Sequence, residues 1–140
     1  MSQSDTFKLD LPANLRYLNL VGACIGAILE RTEGVHDADS LRYSIELAVQ
    51  ETCTNVVEHA YAGQDGRIQV EFTLSHAPRR LTVDVRDKGK PFDPGSVPPP
   101  PLDEVQYRGY GLFLMQELMD EIDYHSDAGG NHWHMVKNLG

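Results

Sequence analysis

Hydrophobic and polar positions alternate, spiral and alternate again along this chain. Phe7, Leu9 and Leu11 are separated by polar residues, the period of a short strand over Phe7–Leu11. Pro12 then reads as the opening of a helix that runs to about Glu33 and stops at Gly34. A second helix is expected from Asp39 or Ser40, both plausible caps, to about Tyr61, just before Gly63. Its residues Ile45, Val49, Thr52, Val56 and Ala60 recur at helical spacing as one apolar stripe. Arg67 to Ser75 alternates with Ile68, Val70, Phe72 and Leu74 on one side, and Leu81, Val83 and Val85 repeat that pattern after a turn at Ala77-Pro78. The two runs predict an antiparallel hairpin with one buried face.

The pattern then breaks. Asp87 to Gly109 has little apolar content and holds most of the prolines, four of them consecutive at Pro98 to Pro101. A loop of this length in a compact domain is usually functional, commonly a lid; the proline run restricts its conformations. A third helix over about Gly111–Glu121 follows, with Leu112, Met115, Leu118, Met119 and Ile122 on one side. Ile122–Ser126 and His132–Leu139 read as a closing hairpin around Gly129-Gly130-Asn131. The order predicts one domain over residues 1–140, a two-layer α/β sandwich with helices on one face of the sheet.

Composition narrows the function. The 140 residues carry 12 basic and 21 acidic side chains, a net charge of −9, which argues against nucleic acid as a direct partner. The one dense basic spot, Arg79-Arg80, reads as a hairpin corner. The most apolar stretch, Leu18 to Leu29, falls short of the roughly 20 residues of a membrane span. Met1 to Asp5 lacks the basic start and apolar run of a signal peptide, so the expected address is the cytoplasm. Cys24 and Cys53 stand among apolar neighbours and read as buried free thiols.

Three features carry chemistry. At about 100° per residue, Glu51, Asn55 and Glu58 share a narrow arc of the second helix, away from the apolar stripe. The Asn55 amide oxygen is a hard donor suited to Mg²⁺, and Glu51 can accept a proton; the plain alternative is a solvated polar face. Next, Asp87-Lys88-Gly89-Lys90-Pro91-Phe92-Asp93-Pro94 follows a buried strand. An acid at a strand end can accept a hydrogen bond from an exocyclic amine such as adenine's, and Gly89, lacking a Cβ, lets the backbone approach a flat ring. A simple turn would use the same residue types. Last, Arg108-Gly109-Tyr110-Gly111 opens a helix, where exposed N–H groups suit phosphate and Arg108 can add a charge-assisted contact; the alternative is a hinge.

Taken in this order, the three features resemble the ATP-binding domain of the GHKL superfamily, the group of DNA gyrase B, sensor histidine kinases and MutL. The resemblance covers about Ser40 to Leu139. Glu51 to Tyr61, with its His-Ala-Tyr ending, and the Asp-x-Gly-x-Pro-Phe-Asp run from Asp87 are similar to the anti-sigma factor serine/threonine kinases of bacterial partner switching. That likeness implies a Bergerat-type fold with a mixed, mainly antiparallel sheet and a lid over about residues 88–110. It implies ATP and Mg²⁺ as cofactors, with Asn55 holding the metal, Asp87 reading adenine, and Gly89, Gly109 and Gly111 shaping pocket and lid. Glu51 would be the general base for a serine hydroxyl. The implied partners are a STAS-type anti-anti-sigma substrate and a sequestered regulator such as a sigma factor. A protein of the same fold that binds with ATP but transfers nothing is the alternative, and Glu51 argues against it. Relatives commonly carry Gly-Thr in the last hairpin, where this chain has Gly130-Asn131, so no binding role is assigned to Asn131.

Other residues remain open. His132 and His134 share a strand face but have no Cys or carboxylate at ligand spacing beside them in the sequence, so no metal is assigned there. His59 follows the apolar stripe and reads as packing or capping, and Asp93 as an Asx-type turn. Tyr107 and Tyr110 flank the lid's end and suit either covering the nucleotide or packing. The apolar first helix suits either a homodimer or ordinary core packing.

Overall fold

A computed structural model describes residues 4–92 and 107–140, with side chains in the second segment from 112 onward. The reading of Asp93, and of the lid through residue 106 including Pro98–Pro101, lies outside the described residues, as do the side chains of Tyr107, Arg108 and Tyr110.

Five strands form one sheet in the order β1-β2-β3-β5-β4. They are β1 (Ser4–Pro12), β2 (Arg67–His76), β3 (Arg79–Asp87), β4 (Glu121–Asp127) and β5 (Gly130–Asn138). All four pairings are antiparallel, where a mixed sheet was expected. The reason is topological. β3 and β4 run the same way and are joined through α3 (Tyr107–Leu118), but β5 sits between them and pairs with both.

The helices α1 (Leu18–Glu30), α2 (Ala38–Asn55) and α3 form the second layer, and the core lies between layers. Ile68, Val70, Phe72 and Leu74 of β2 and Leu81, Val83 and Val85 of β3 are buried, as the alternation predicts. Ile45, Val49 and Thr52 of α2 and Val56 just after it meet them from above; Ala60, the last of the stripe, is only half-buried. The Gln50 amide donates to the Leu18 carbonyl at 2.7 Å and ties α2 to α1. Cys53 is buried and Cys24 half-buried, and both are free thiols. No described helix is long and apolar enough to cross a membrane.

Boundaries differ from the periodicity in instructive ways. Pro12 ends β1, paired with Arg67, instead of opening a helix; an edge strand tolerates a residue without an N–H. Asn14 then accepts the Arg16 N–H at 3.0 Å and starts a short 3₁₀ turn, Leu15–Tyr17, that feeds α1. α1 stops at Glu30, three residues before the expected end, and Gly34 follows at φ +75°. α2 is preceded by Asp37 at φ +52°, with Asp39 and Ser40 inside its first turn. It ends as an α-helix at Asn55 and continues as a π turn over Val56–Ala60, closed by the Tyr61 N–H on the Val56 carbonyl at 3.0 Å. α3 begins at Tyr107, so Arg108, Gly109 and Gly111 lie within its opening turns, and Glu121 and Ile122 belong to β4.

Burial sets the energetics. Phe72 is fully enclosed while Phe7, its partner across β1, is 40% exposed at the sheet edge. Phe72→Ala should cost about 3–5 kcal/mol and Phe7→Ala well under half of that, read by denaturant unfolding monitored at Trp133. Equal losses would contradict this placement of the core.

Candidate functional site

The site begins where α2 changes its winding. Thr52 is wholly buried, its hydroxyl donating to the Ala48 carbonyl at 2.9 Å and lying 2.8 Å from the Met115 sulfur of α3. That contact fixes the helix rotation and turns Glu51 and Asn55 away from the core. Glu51 is half-buried, and its pKa is raised by burial first and by the charge of Glu58 second. Cys53, on the opposite side, has its thiol pushed up to about 12 by burial and is chemically quiet. The π turn re-aims the side chains beyond Asn55. His59, expected to pack or cap, instead lines a pocket with Asn55, Asp87, Phe92, Asn131 and Trp133.

The second part is the loop after β3. Asp87 is 5% exposed, and its Oδ1 accepts the Gly89 N–H and an Asn131 amide N–H, each at 2.8 Å. Burial raises its pKa, and those two hydrogen bonds pull the other way. Among the described residues no donor reaches Oδ2. The loop is locked onto the end of the π turn: the Lys90 N–H donates to the Ala60 carbonyl at 2.7 Å and the Lys88 N–H to the Tyr61 hydroxyl at 2.9 Å. That hydroxyl in turn donates to the Arg67 carbonyl at 2.7 Å. A Cβ on Gly89 would lie 2.4 Å from the Ala60 oxygen, so the close approach seen at this glycine is to Ala60.

Asn131 was given no role from the sequence, yet it is the centre of the site. Its amide also donates to the Gly89 carbonyl at 2.9 Å and the Lys90 carbonyl at 3.2 Å. Its oxygen accepts the Ser126 hydroxyl at 2.7 Å and the Tyr124 hydroxyl at 3.2 Å. Tyr124 then accepts the Phe92 N–H at 2.6 Å, and the Phe92 ring stands 5.2 Å from Trp133 and 5.9 Å from Tyr124. The signal for Asn131 was its position: a polar residue on the inward side of an alternating strand must find buried partners. Tyr61 and Tyr124 gave no comparable signal.

Asn55 and Asp87 therefore line one pocket, with Gly89 packed against Ala60 beside it and Glu51 one helical turn before Asn55. Arg108, Gly109 and Gly111 open α3, but their side-chain surroundings lie outside the described residues. The cavity among the lining residues is only about 20 Å³, room for one water.

An amide and a buried carboxylate face one cleft between a helix end and a sheet, in an α/β sandwich with a glycine pair in the opening turns of α3. The chain belongs to the histidine kinase-like ATPase domain family, whose model matches residues 11–137, and within it to the anti-sigma factor serine kinase branch. It is 31% identical over 137 residues to the serine-protein kinase RsbW of Bacillus pumilus, covering 89% of this chain and 81% of that one. The RsbW of Bacillus subtilis is 28% identical over 137 residues, covering 91% and 82%. Among solved structures, the RsbU and RsbW domains of a Mycobacterium tuberculosis protein superpose with a TM-score of 0.70 at 23% identity, covering 96% of this chain and 32% of that one. The histidine kinase domain of a blue-light activated kinase from Erythrobacter litoralis gives 0.58 at 19%, covering 92% and 62%. These two likenesses show the fold.

Gly89→Ala drives a methyl into the Ala60 carbonyl, an overpacking cost of about 1–3 kcal/mol, and separates the loop from the π turn. Its unfolding midpoint should drop accordingly, whereas Gly63→Ala meets no neighbour but is strained at φ +79°. A Gly89→Ala protein as stable as the parent would refute the close approach.

Proposed function

We propose that the chain is an anti-sigma factor-type serine kinase that binds ATP with Mg²⁺ and phosphorylates a serine of a small STAS-type anti-anti-sigma partner. Phosphorylation of that partner then decides which protein the kinase holds, a sigma factor or similar regulator being the sequestered one. The observation that carries this reading is the placement of half-buried Glu51, its pKa raised, one turn before Asn55, which lines the same pocket as Asp87. Kinship with serine-protein kinases of similar length supports it.

The donor set fits the cofactors. Asn55 offers a neutral, hard amide oxygen for Mg²⁺. Asp87 has one oxygen saturated by Gly89 and Asn131, which orients the other toward an exocyclic amine. Gly109 and Gly111, with Arg108, would cradle phosphate at the start of α3 beneath a lid over about 88–110. Bound ATP supplies the phosphoryl group and Mg²⁺ neutralises its charge. The protein's own work is to position the groups and move one proton, from the serine hydroxyl to Glu51. Burial makes Glu51 a better base than an exposed glutamate.

Only the carboxylate form accepts that proton, so activity falls as pH drops through the Glu51 pKa. Because that pKa is raised, the acid limb of the pH–rate profile should lie above the ordinary glutamate value, and Glu58→Gln should move it to lower pH. Glu51→Gln should abolish transfer while leaving ATP affinity within a few-fold; surviving transfer would remove Glu51 from the role of base.

Incubation with labelled ATP and the STAS-type protein encoded beside it tests the whole reading. Label on a serine is expected, and Asp87→Asn should blunt the preference for ATP over GTP. ATP-dependent complex formation without label would replace the kinase with a sequestering protein of the same fold.

A further inference from the structure

The face of the sheet turned away from the helices carries a second cluster. Asp84 on β3 stands directly across from His134 on β5, and His132 is one residue pair further along the same face. His132 Nε2 and His134 Nδ1 both lie 2.7 Å from a single oxygen, Asp84 Oδ1. The three ligand-type atoms lie within 4.8 Å of one another. The sequence pair lacked a third ligand because its carboxylate is supplied from 48 residues away, through strand pairing.

We propose that Asp84, His132 and His134 form a binding site for a divalent transition metal, best matched by Zn²⁺, with a fourth position open to solvent. Two imidazoles and one carboxylate are a donor set for Zn²⁺ and its neighbours in the first transition row, and a poor one for Mg²⁺. Ligand atoms around a tetrahedral ion with bonds of ~2.0–2.1 Å stand about 3.3 Å apart, so each ring nitrogen needs to draw back from Asp84 Oδ1 by only a fraction of an ångström. Access is asymmetric in a useful way. The Asp84 side chain is 11% exposed and held, while His132 and His134 are 31% and 38% exposed and free to receive an ion from water.

Glu71 and Asp123 are in register beside Asp84 and His134 on this face, but Glu71 is paired with Lys8 at 3.8 Å and Arg86 stands beside His132, so the charge for an ion comes from Asp84 itself. Elsewhere the described histidine–carboxylate contacts, His76 with Asp5 and His125 with Asp127, are exposed pairs without a third ligand. A metal here would staple β3 to β5, the two strands whose inward residues Asp87 and Asn131 build the nucleotide pocket. The site lies on the opposite face and needs no nucleotide.

The test is calorimetric titration of the metal-free full chain with Zn²⁺ alone, alongside Asp84→Asn, His132→Gln, His134→Gln and, as comparison, His76→Gln. One equivalent should bind to the parent and to His76→Gln. Each of the other three should bind more weakly by at least the roughly 10–100-fold that loss of even an outer-shell partner costs. Zn²⁺ should raise Tm of the parent and not of the three variants, and Co²⁺ should give the intense visible bands of a tetrahedral site. Circular dichroism of the variants separates loss of binding from loss of fold. Absence of stoichiometric binding, or equal binding by all the variants, would overturn the site.

Discussion

A nearly buried carboxylate, Asp87, is the group around which the cleft is organised. Leaving such a charge unpaired costs more than any single contact in the site returns, so the fold must surround it with donors. One comes from its own loop, Gly89, and one from the neighbouring strand, Asn131. Asn131 then binds the next two loop carbonyls and the hydroxyls of Ser126 and Tyr124. The network joins β3, β4, β5 and the loop that follows β3. Its members are neutral apart from Asp87, so the negative charge is confined to one oriented group.

The same loop is bound to α2 by its backbone. Ala60 and Tyr61 receive the N–H groups of Lys90 and Lys88, and the missing Cβ of Gly89 lets the two segments touch. This gives a physical reason for finding a His-Ala-Tyr ending and an Asp-x-Gly loop in one chain. The first supplies the acceptors and a small side chain, and the second supplies donors and a glycine. The π turn adds the extra residue that brings Ala60 to that position and moves His59 from the apolar stripe into the cleft. Phe92 is anchored on Tyr124 and packed on Trp133 at the rim of the cleft.

Strands β3 and β5 thus serve two faces with alternate residues. Asp87, Asn131 and Trp133 point into the helical layer, and Asp84, His132 and His134 point out of it. Their pairing fixes both constellations at once, because a slip of one residue would exchange the faces and dismantle each.

Periodicity alone determined the strands and helices, the buried face of the hairpin and the α/β layering, because burial of one face imposes a period of 2 or 3.6 on the residues themselves. It also marked Glu51, Asn55, Asp87 and Gly89, whose types and local order are unusual for plain packing. Boundaries were less legible. Pro12 suits a helix start and an edge-strand end equally, and only pairing with Arg67 chooses between them. A π turn leaves no composition signature, so the place of His59 beside Asn55 in the pocket lining was not legible. The insertion of β5 between β3 and β4, the partners of Asn131 and the approach of Asp84 to two histidines were decided by tertiary structure. The pairing of β5 with β3, the Asp87–Asn131 contact and the Asp84–histidine cluster all join residues more than 40 positions apart, brought together by strand register, which no local pattern of side chains encodes.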